Sequence, residues 1–171
     1  MPSLSDVMQD AINEQIGNEL HASYSYLAMS AWLSHQEFHG SAAWMRAQSQ
    51  EENAHAMKLY DFLVARGGRV NLRPITQPNQ EFKSVADVFN SALAQEQGVT
   101  VQIEKLYELA FHEKAFAALV ELEWFIREQV EEEKTLREIV HKFKLIGDDG
   151  ASLLDLDREL AGRQPEAPSA E

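Results

Sequence analysis

The stretch that decides the fold is Met45-Arg46-Ala47-Gln48-Ser49-Gln50-Glu51-Glu52-Asn53-Ala54-His55-Ala56-Met57-Lys58-Leu59-Tyr60-Asp61-Phe62. Met45, Glu52 and Leu59 stand seven apart, and so do His55 and Phe62. Seven residues is close to two turns of α-helix, so such positions share one face. Glu52 and His55, an i, i+3 pair, therefore point where Met45, Leu59 and Phe62 point, toward a core.

The same pattern recurs on both sides of this stretch. A first helix is predicted from about Ser5 to Gln36, with its apolar face at Ile12, Ile16, Leu20, Tyr24, Leu27 and Ala31. Glu19 sits at the edge of that face, seven residues after Ile12 and seven before Tyr26. Gly40 breaks the pattern, Ser41 is expected to cap the second helix, and Gly67-Gly68 stops that helix after Arg66. A third helix opens on the capping box Ser84-Val85-Ala86-Asp87, reaches Phe111 and carries the row Phe89, Glu96, Ile103, Ala110. A fourth, Ala115 to Leu145, carries Leu122, Gln129, Leu136, Phe143 and beside it Phe125, Glu132, Ile139. The turn Gly147-Asp148-Asp149-Gly150 leads to a short fifth helix, Ala151 to Leu160, and nothing reads as a strand. Residues 1–161 are read as one domain and residues 162–171, polar with two prolines, as a disordered tail.

Link lengths set the topology. Short links make antiparallel hairpins of helices one and two and of helices three and four. The middle link, 67–83, has 17 residues. At ~3.3 Å each these reach roughly 56 Å, more than the ~40 Å length of such a helix. Helices two and three can then lie parallel, joined by a crossover along the bundle. The fold class is thus all-α, a four-helix bundle with one long crossover and a short fifth C-terminal helix, the connectivity of ferritin-like folds.

Composition removes whole classes of function. The chain has 171 residues, 44% hydrophobic and 25% charged, with 28 Asp+Glu against 15 Lys+Arg and a net charge of −13. A polyanion needs Lys and Arg to displace its counterions, so nucleic acid and anionic membranes are not expected partners. Surplus carboxylates attract cations. The absence of cysteine excludes disulfides, zinc-thiolate sites and iron–sulfur clusters. The first 25 residues hold no signal-peptide core, no apolar run approaches the ~18 residues that span a bilayer, and a cytoplasmic location is expected.

Each helix thus sends a carboxylate inward near its middle. Burying one costs several kcal/mol even after relaxation, and no Lys or Arg lies on these rows. The carboxylates must bind protons or cations. Dense carboxylate with a single imidazole suits a pair of Fe(II) or Mn(II) ions better than copper or structural zinc. Glu51, Glu128 and Glu131 flank this set as a candidate third cation position, whereas Glu133 reads as part of a solvated face. Trp124, four residues before Glu128, reads as packing; Met8, Met29, Met45 and Met57 read as core filler. His21, His35, His39, His112 and His141 read as surface residues.

The set Asn18-Glu19-Leu20, Gln50-Glu51-Glu52-Asn53-Ala54-His55, Glu96-Gln97 and Glu128-Gln129-Val130-Glu131-Glu132-Glu133-Lys134 resembles that of bacterial non-haem ferritins, over about residues 4–160. The resemblance implies a ferroxidase centre within the chain: Glu19, Glu52 and His55 on a first iron, Glu96 and Glu132 on a second, Glu52 bridging and Gln129 close to the second. It implies a third iron site at Glu51, Glu128 and Glu131, and electron-supplying aromatics at Tyr26 and Trp124. It further implies a 24-subunit shell that oxidises Fe(II) with O2 or peroxide and stores ferric mineral. Bacterioferritin is similar but keeps a second His where this chain has Gln129-x-x-Glu132, and a haem-ligating Met where it has Asn53, so no haem is expected. A complete rubrerythrin would need cysteine, and mini-ferritins build their sites between subunits. The competing readings are a small-oligomer di-iron oxidase or peroxidase that stores no iron, and a metal-free scaffold bundle that leaves the interior carboxylates unexplained.

Overall fold

The computed structural model describes residues 4–163 and contains five helices, α1 (Asp6–His35), α2 (His39–Ala65), α3 (Val85–His112), α4 (Phe116–Ile146) and α5 (Gly150–Ala161). No strand occurs among the described residues. α1 packs along α2 and α3 along α4, as the short links require. Of the tail expected to be disordered, residues 164–171 lie outside the described residues; Arg163 is held against α2 by a hydrogen bond to the Trp44 carbonyl.

The long link tracks α1 from one end to the other. Asn13 Nδ2 donates to the Arg69 carbonyl at 2.9 Å, the Asn71 N–H donates to Asn13 Oδ1 at 2.6 Å, and Arg73 pairs with Asp10. At the far end the Phe82 ring meets Trp32 edge-on at 5.7 Å. The chain leaves α2 beside the start of α1 and enters α3 beside its end, so α2 and α3 run parallel. Side-chain bonds from Gln9 and Asn13 hold backbone groups of a link that has no ladder of its own.

Three helix starts follow the expected chemistry. Ser5, Ser84 and Asp149 each accept from the N–H three residues on, and Asp87 accepts from the Lys83 N–H. The start of α2 is different. Its N-cap is Phe38, which supplies no side-chain bond, and Gly40 and Ser41, read as breaker and cap, lie inside the helix. The cap comes from α5: the Asp157 carboxylate accepts from the N–H groups of Gly40 and Ser41, at 3.1 and 2.7 Å, and from the Ser41 hydroxyl at 2.7 Å. A Cβ on Gly40 would stand 1.9 Å from the Asp157 carbonyl oxygen, so only glycine admits α5 here.

The face of α1 is also corrected. Ile12 and Ile16 are buried, Leu20 is half-buried, and Tyr24, Leu27 and Ala31 are exposed. The buried rows are Ile12, Glu19, Tyr26, Leu33 and Met8, Gln15, Ala22, Met29. Because the inward face carries Gln, Glu and Ala, apolar periodicity favoured the outward one. Met57, read as core filler, is exposed on α2. On α3 and α4 every residue of the predicted rows is buried.

The apolar core forms two clusters. One gathers Met29, Leu33, Met45, Phe89, Leu136 and Phe143 with Leu156 and Leu160 of α5. The other gathers Met8, Ile12, Leu59, Leu63, Ile103 and Leu122. Between them lie Gln15, Glu19, Gln48, Glu52, His55, Glu96, Gln129 and Glu132, all buried.

The α5 contact makes a mechanical prediction. Gly40→Ala is expected to destabilise by about 2 kcal/mol through overpacking, and Asp157→Ala by about 1–2 kcal/mol through the lost cap. Urea unfolding midpoints would measure both; a Gly40→Ala chain as stable as the parent would refute the close approach.

Candidate metal centre

The polar layer is built from the middle turns of all four long helices. Glu19 of α1 and Glu52 and His55 of α2 bring one ligand atom each to within 4.8 Å of one another. His55 Nδ1 lies 3.3 Å from Glu52 Oε2. Two atoms bound at right angles to one ion, each ~2.1 Å from it, stand about 3 Å apart, so this separation fits a shared cation. Glu52 lies within hydrogen-bonding reach of both Glu19 and Glu96, which places it between the α1 side and the α3 side of the layer. Glu96 accepts from the Tyr26 hydroxyl and, at 3.1 Å, from Gln129 Nε2. Glu132 Oε2 accepts from Gln48 Nε2 at 2.7 Å.

Several supporting groups were not legible as site residues. Gln48 also donates to Glu52 Oε1 at 3.3 Å, and Gln15 donates to Glu19 Oε1 at 2.9 Å. Each is a polar residue one turn before its glutamate, an i, i+4 signal present in the sequence. Thr100 accepts from Gln129 Nε2 and donates to Glu133 Oε1 at 2.8 Å. Glu133 is consequently half-buried and tied to the layer, with Arg137 on its outer side, rather than part of a solvated face.

The flanking acids differ in their partners. Glu128 joins His55 and Glu132 in a second set of ligand atoms within 4.8 Å. Glu51 is half-buried and pairs with Arg163 at 2.7 Å. Glu131 is exposed beside Lys134, 3.9 Å away. Trp124 packs edge-on against His55, ring centroids 5.2 Å apart, with Lys58 Nζ 5.0 Å above its ring. Asn53 is exposed.

Burial dominates the electrostatics. It pushes the Glu19 carboxyl up to about 7, against the hydrogen bonds it makes. Burial, then the charges of Glu96, Glu19 and Glu132, push Glu52 well above the ordinary carboxylate range. Burial, then Glu96 and Glu51, do the same to Glu132, while burial raises Glu96 against the donors Tyr26 and Gln129. Burial, then Lys58, lowers His55 to about 4, so its imidazole is neutral and free to bind a metal at neutral pH. In their charged forms Glu19 Oε2 and Glu132 Oε1 are buried with no hydrogen-bond donor. Such a set, acceptor-rich and with no cation among its ring of residues, suits hard or borderline divalent ions.

The signs give a pH dependence for metal-free protein. A carboxyl raised on folding contributes stability that is complete below its unfolded value, 4.5, and is lost as pH rises through its folded value, about 7 for Glu19. His55, lowered on folding, acts oppositely and only between about 4 and 6.5. Above pH 6.5 the carboxylates act alone. The thermal midpoint of metal-free protein is therefore expected to fall from pH 6.5 to 8, less steeply in Glu19→Gln, and Zn(II) should restore it by taking the place of the protons. A flat midpoint across that range would contradict the charged, metal-free layer.

No helix among the described residues is long and apolar enough to cross a membrane. Residues 9–146 match the family model described as Ferritin, a ferritin-like domain. The bacterial non-heme ferritin of Staphylococcus haemolyticus is 38% identical over 160 residues, covering 94% of this chain and 96% of that one. That of Staphylococcus aureus (strain USA300) is 34% identical over the same shares. Among solved structures, an open pore ferritin from the hyperthermophilic archaeon Archaeoglobus fulgidus is 43% identical with a TM-score of 0.94, covering 95% of this chain and all of that one. A closed form of the same ferritin, engineered by mutagenesis, is 44% identical with a TM-score of 0.93, covering 95% and 99%. The helical bundle thus has its counterpart in known structures, and the chain belongs to the ferritin family, with the bacterial non-haem ferritins among its relatives.

Proposed function

We propose that this chain is the ferroxidase subunit of an iron-storage protein. One observation carries the reading: Glu19, Glu52, His55, Glu96 and Glu132 converge in one buried layer with no Lys or Arg among them. Fe(II) is the substrate. Glu19, Glu52 and His55 hold one ion and Glu96 and Glu132 the other, with Glu52 bridging. Gln129, its amide oriented by donation to Glu96, lies beside the second ion. Binding replaces the protons that burial favours on these acids, so protons leave as iron enters.

Pairing the ions matches the chemistry. Two Fe(II) give one electron each to O2, which with two protons becomes H2O2. Where peroxide is the oxidant, two electrons and two protons convert it to two waters. Carboxylate oxygen stabilises Fe(III) more than Fe(II), because the higher charge gains more from an anion. Tyr26 and Trp124 would supply further electrons, a role supported by the bond from the Tyr26 hydroxyl to Glu96 and by the packing of Trp124 on His55. Glu51, Glu128 and Glu131 form an outer, weaker cation position through which iron passes. The ferric product is stored as mineral inside a 24-subunit shell, in the cytoplasm, without haem. The relatives named ferritin support storage.

Glu52→Ala is expected to abolish rapid Fe(II) oxidation, since it removes the bridge; stopped-flow absorbance at the parent rate would refute the assignment. Aerobic Fe(II) loading of metal-free protein, followed by gel filtration, is expected to leave tens of irons per chain on a particle of several hundred kilodaltons. About two irons per chain on a small particle would instead identify a di-iron oxidase that stores none.

A further inference from the structure

Just past the end of α5 stands an arginine that reaches back toward the metal layer. Arg163, one residue past the C-cap Gly162, lays its guanidinium 4.4 Å over the Trp44 ring. Its Nη1 donates to the Trp44 carbonyl at 3.1 Å and its Nη2 to Glu51 Oε2 at 2.7 Å. Both charged side chains are largely covered, Arg163 at 17% and Glu51 at 16% exposure. A covered guanidinium is costly without partners, and this one has a carboxylate, a carbonyl and an aromatic face. The ion pairs Arg158–Asp155 and Lys134–Glu131 do not share that setting; both are mostly exposed and of little weight.

The location gives the pair its meaning. Glu51 immediately precedes Glu52 on α2, about 100° around the helix from it, and is half-buried where Glu52 is fully buried, so it stands at the outer edge of the layer that Glu52 enters. Its charge is felt by Glu132, and Glu132 shares ligand distance with Glu128 and His55. A fixed positive charge thus rests on the acid that, in the reading above, belongs to the outer cation position.

We infer that Arg163 is the resident counter-cation of the outer carboxylate group, competing with a divalent ion for Glu51, so that filling this position requires the end of α5 to release it. The inference rests on the reading of Glu51, Glu128 and Glu131 as a cation position. It makes the outer position the weakest of the three, suited to passage rather than retention. By reciprocity, a cation bound there loosens the end of α5 by the same factor that α5 weakens the cation.

The test uses metal-free, full-length protein and Zn(II), which does not change oxidation state. Calorimetric titration of the parent is expected to show two tight equivalents per chain and a weaker third. In Arg163→Ala and Arg163→Gln the third is expected to tighten about tenfold while the first two stay put; Arg163→Lys, which keeps the charge, should resemble the parent. Arg163→Gln retains a donor for the Trp44 carbonyl and guards against simple loss of α5. Amide hydrogen exchange at the end of α5 should quicken in the parent on addition of the third equivalent. A third affinity equal to the parent's in both neutral variants, with only the unfolding midpoint lowered, would make Arg163 a structural strap and overturn the inference. A parent chain that binds no tight Zn(II) would instead sink the metal-centre reading, and this inference with it.

Discussion

The structure depends on one unfavourable arrangement, four glutamates facing one another in the middle of a helical bundle. In water such charges would repel weakly; out of water each also loses several kcal/mol of hydration. The surrounding sequence is arranged to hold them without cancelling them. Gln15, Gln48, Gln129 and Tyr26 aim N–H and O–H donors at single carboxylate oxygens. Neutral donors fix orientation yet leave the negative charge for a cation, whereas a lysine or arginine at the same place would have filled the role permanently. The donors come from helices one, two and four, so the geometry of the layer is set by helix packing and not by any loop.

The rest of the chain serves that packing. Apolar clusters above and below the layer lock the four helices at both ends. The crossover, held to α1 by Asn13, lets α2 and α3 run parallel and bring Glu52 and Glu96 together. α5 closes one end of α2 with the Asp157 carboxylate and places Arg163 beside Glu51.

What was legible in the sequence followed from periodicity, and what was not followed from distance. The rows through Glu52, Glu96 and Glu132 could be read because each glutamate interrupts an apolar heptad. On α1 the interruption is longer, Gln15, Glu19 and Ala22 in succession, and a more apolar outward face at Tyr24 and Leu27 took its place. The Ser41 assignment failed because the cap of α2 sits on a helix more than a hundred residues later, where no local rule reaches. Glu133 was misread for a related reason: its partner, Thr100, belongs to α3. The end of α5 likewise gained its meaning only when folding brought Arg163 onto Trp44.

The divided core has an evolutionary consequence. Replacing the central glutamates by leucine or methionine would join two apolar clusters into one, and buried ionic groups exchanged for well-packed apolar ones often leave a protein more stable. The chain therefore stands a few substitutions away from a sturdier bundle with no chemistry, and drift toward stability alone would erase the site. The acids on all four helices thus stand at a cost in folding free energy that only a bound proton or cation offsets.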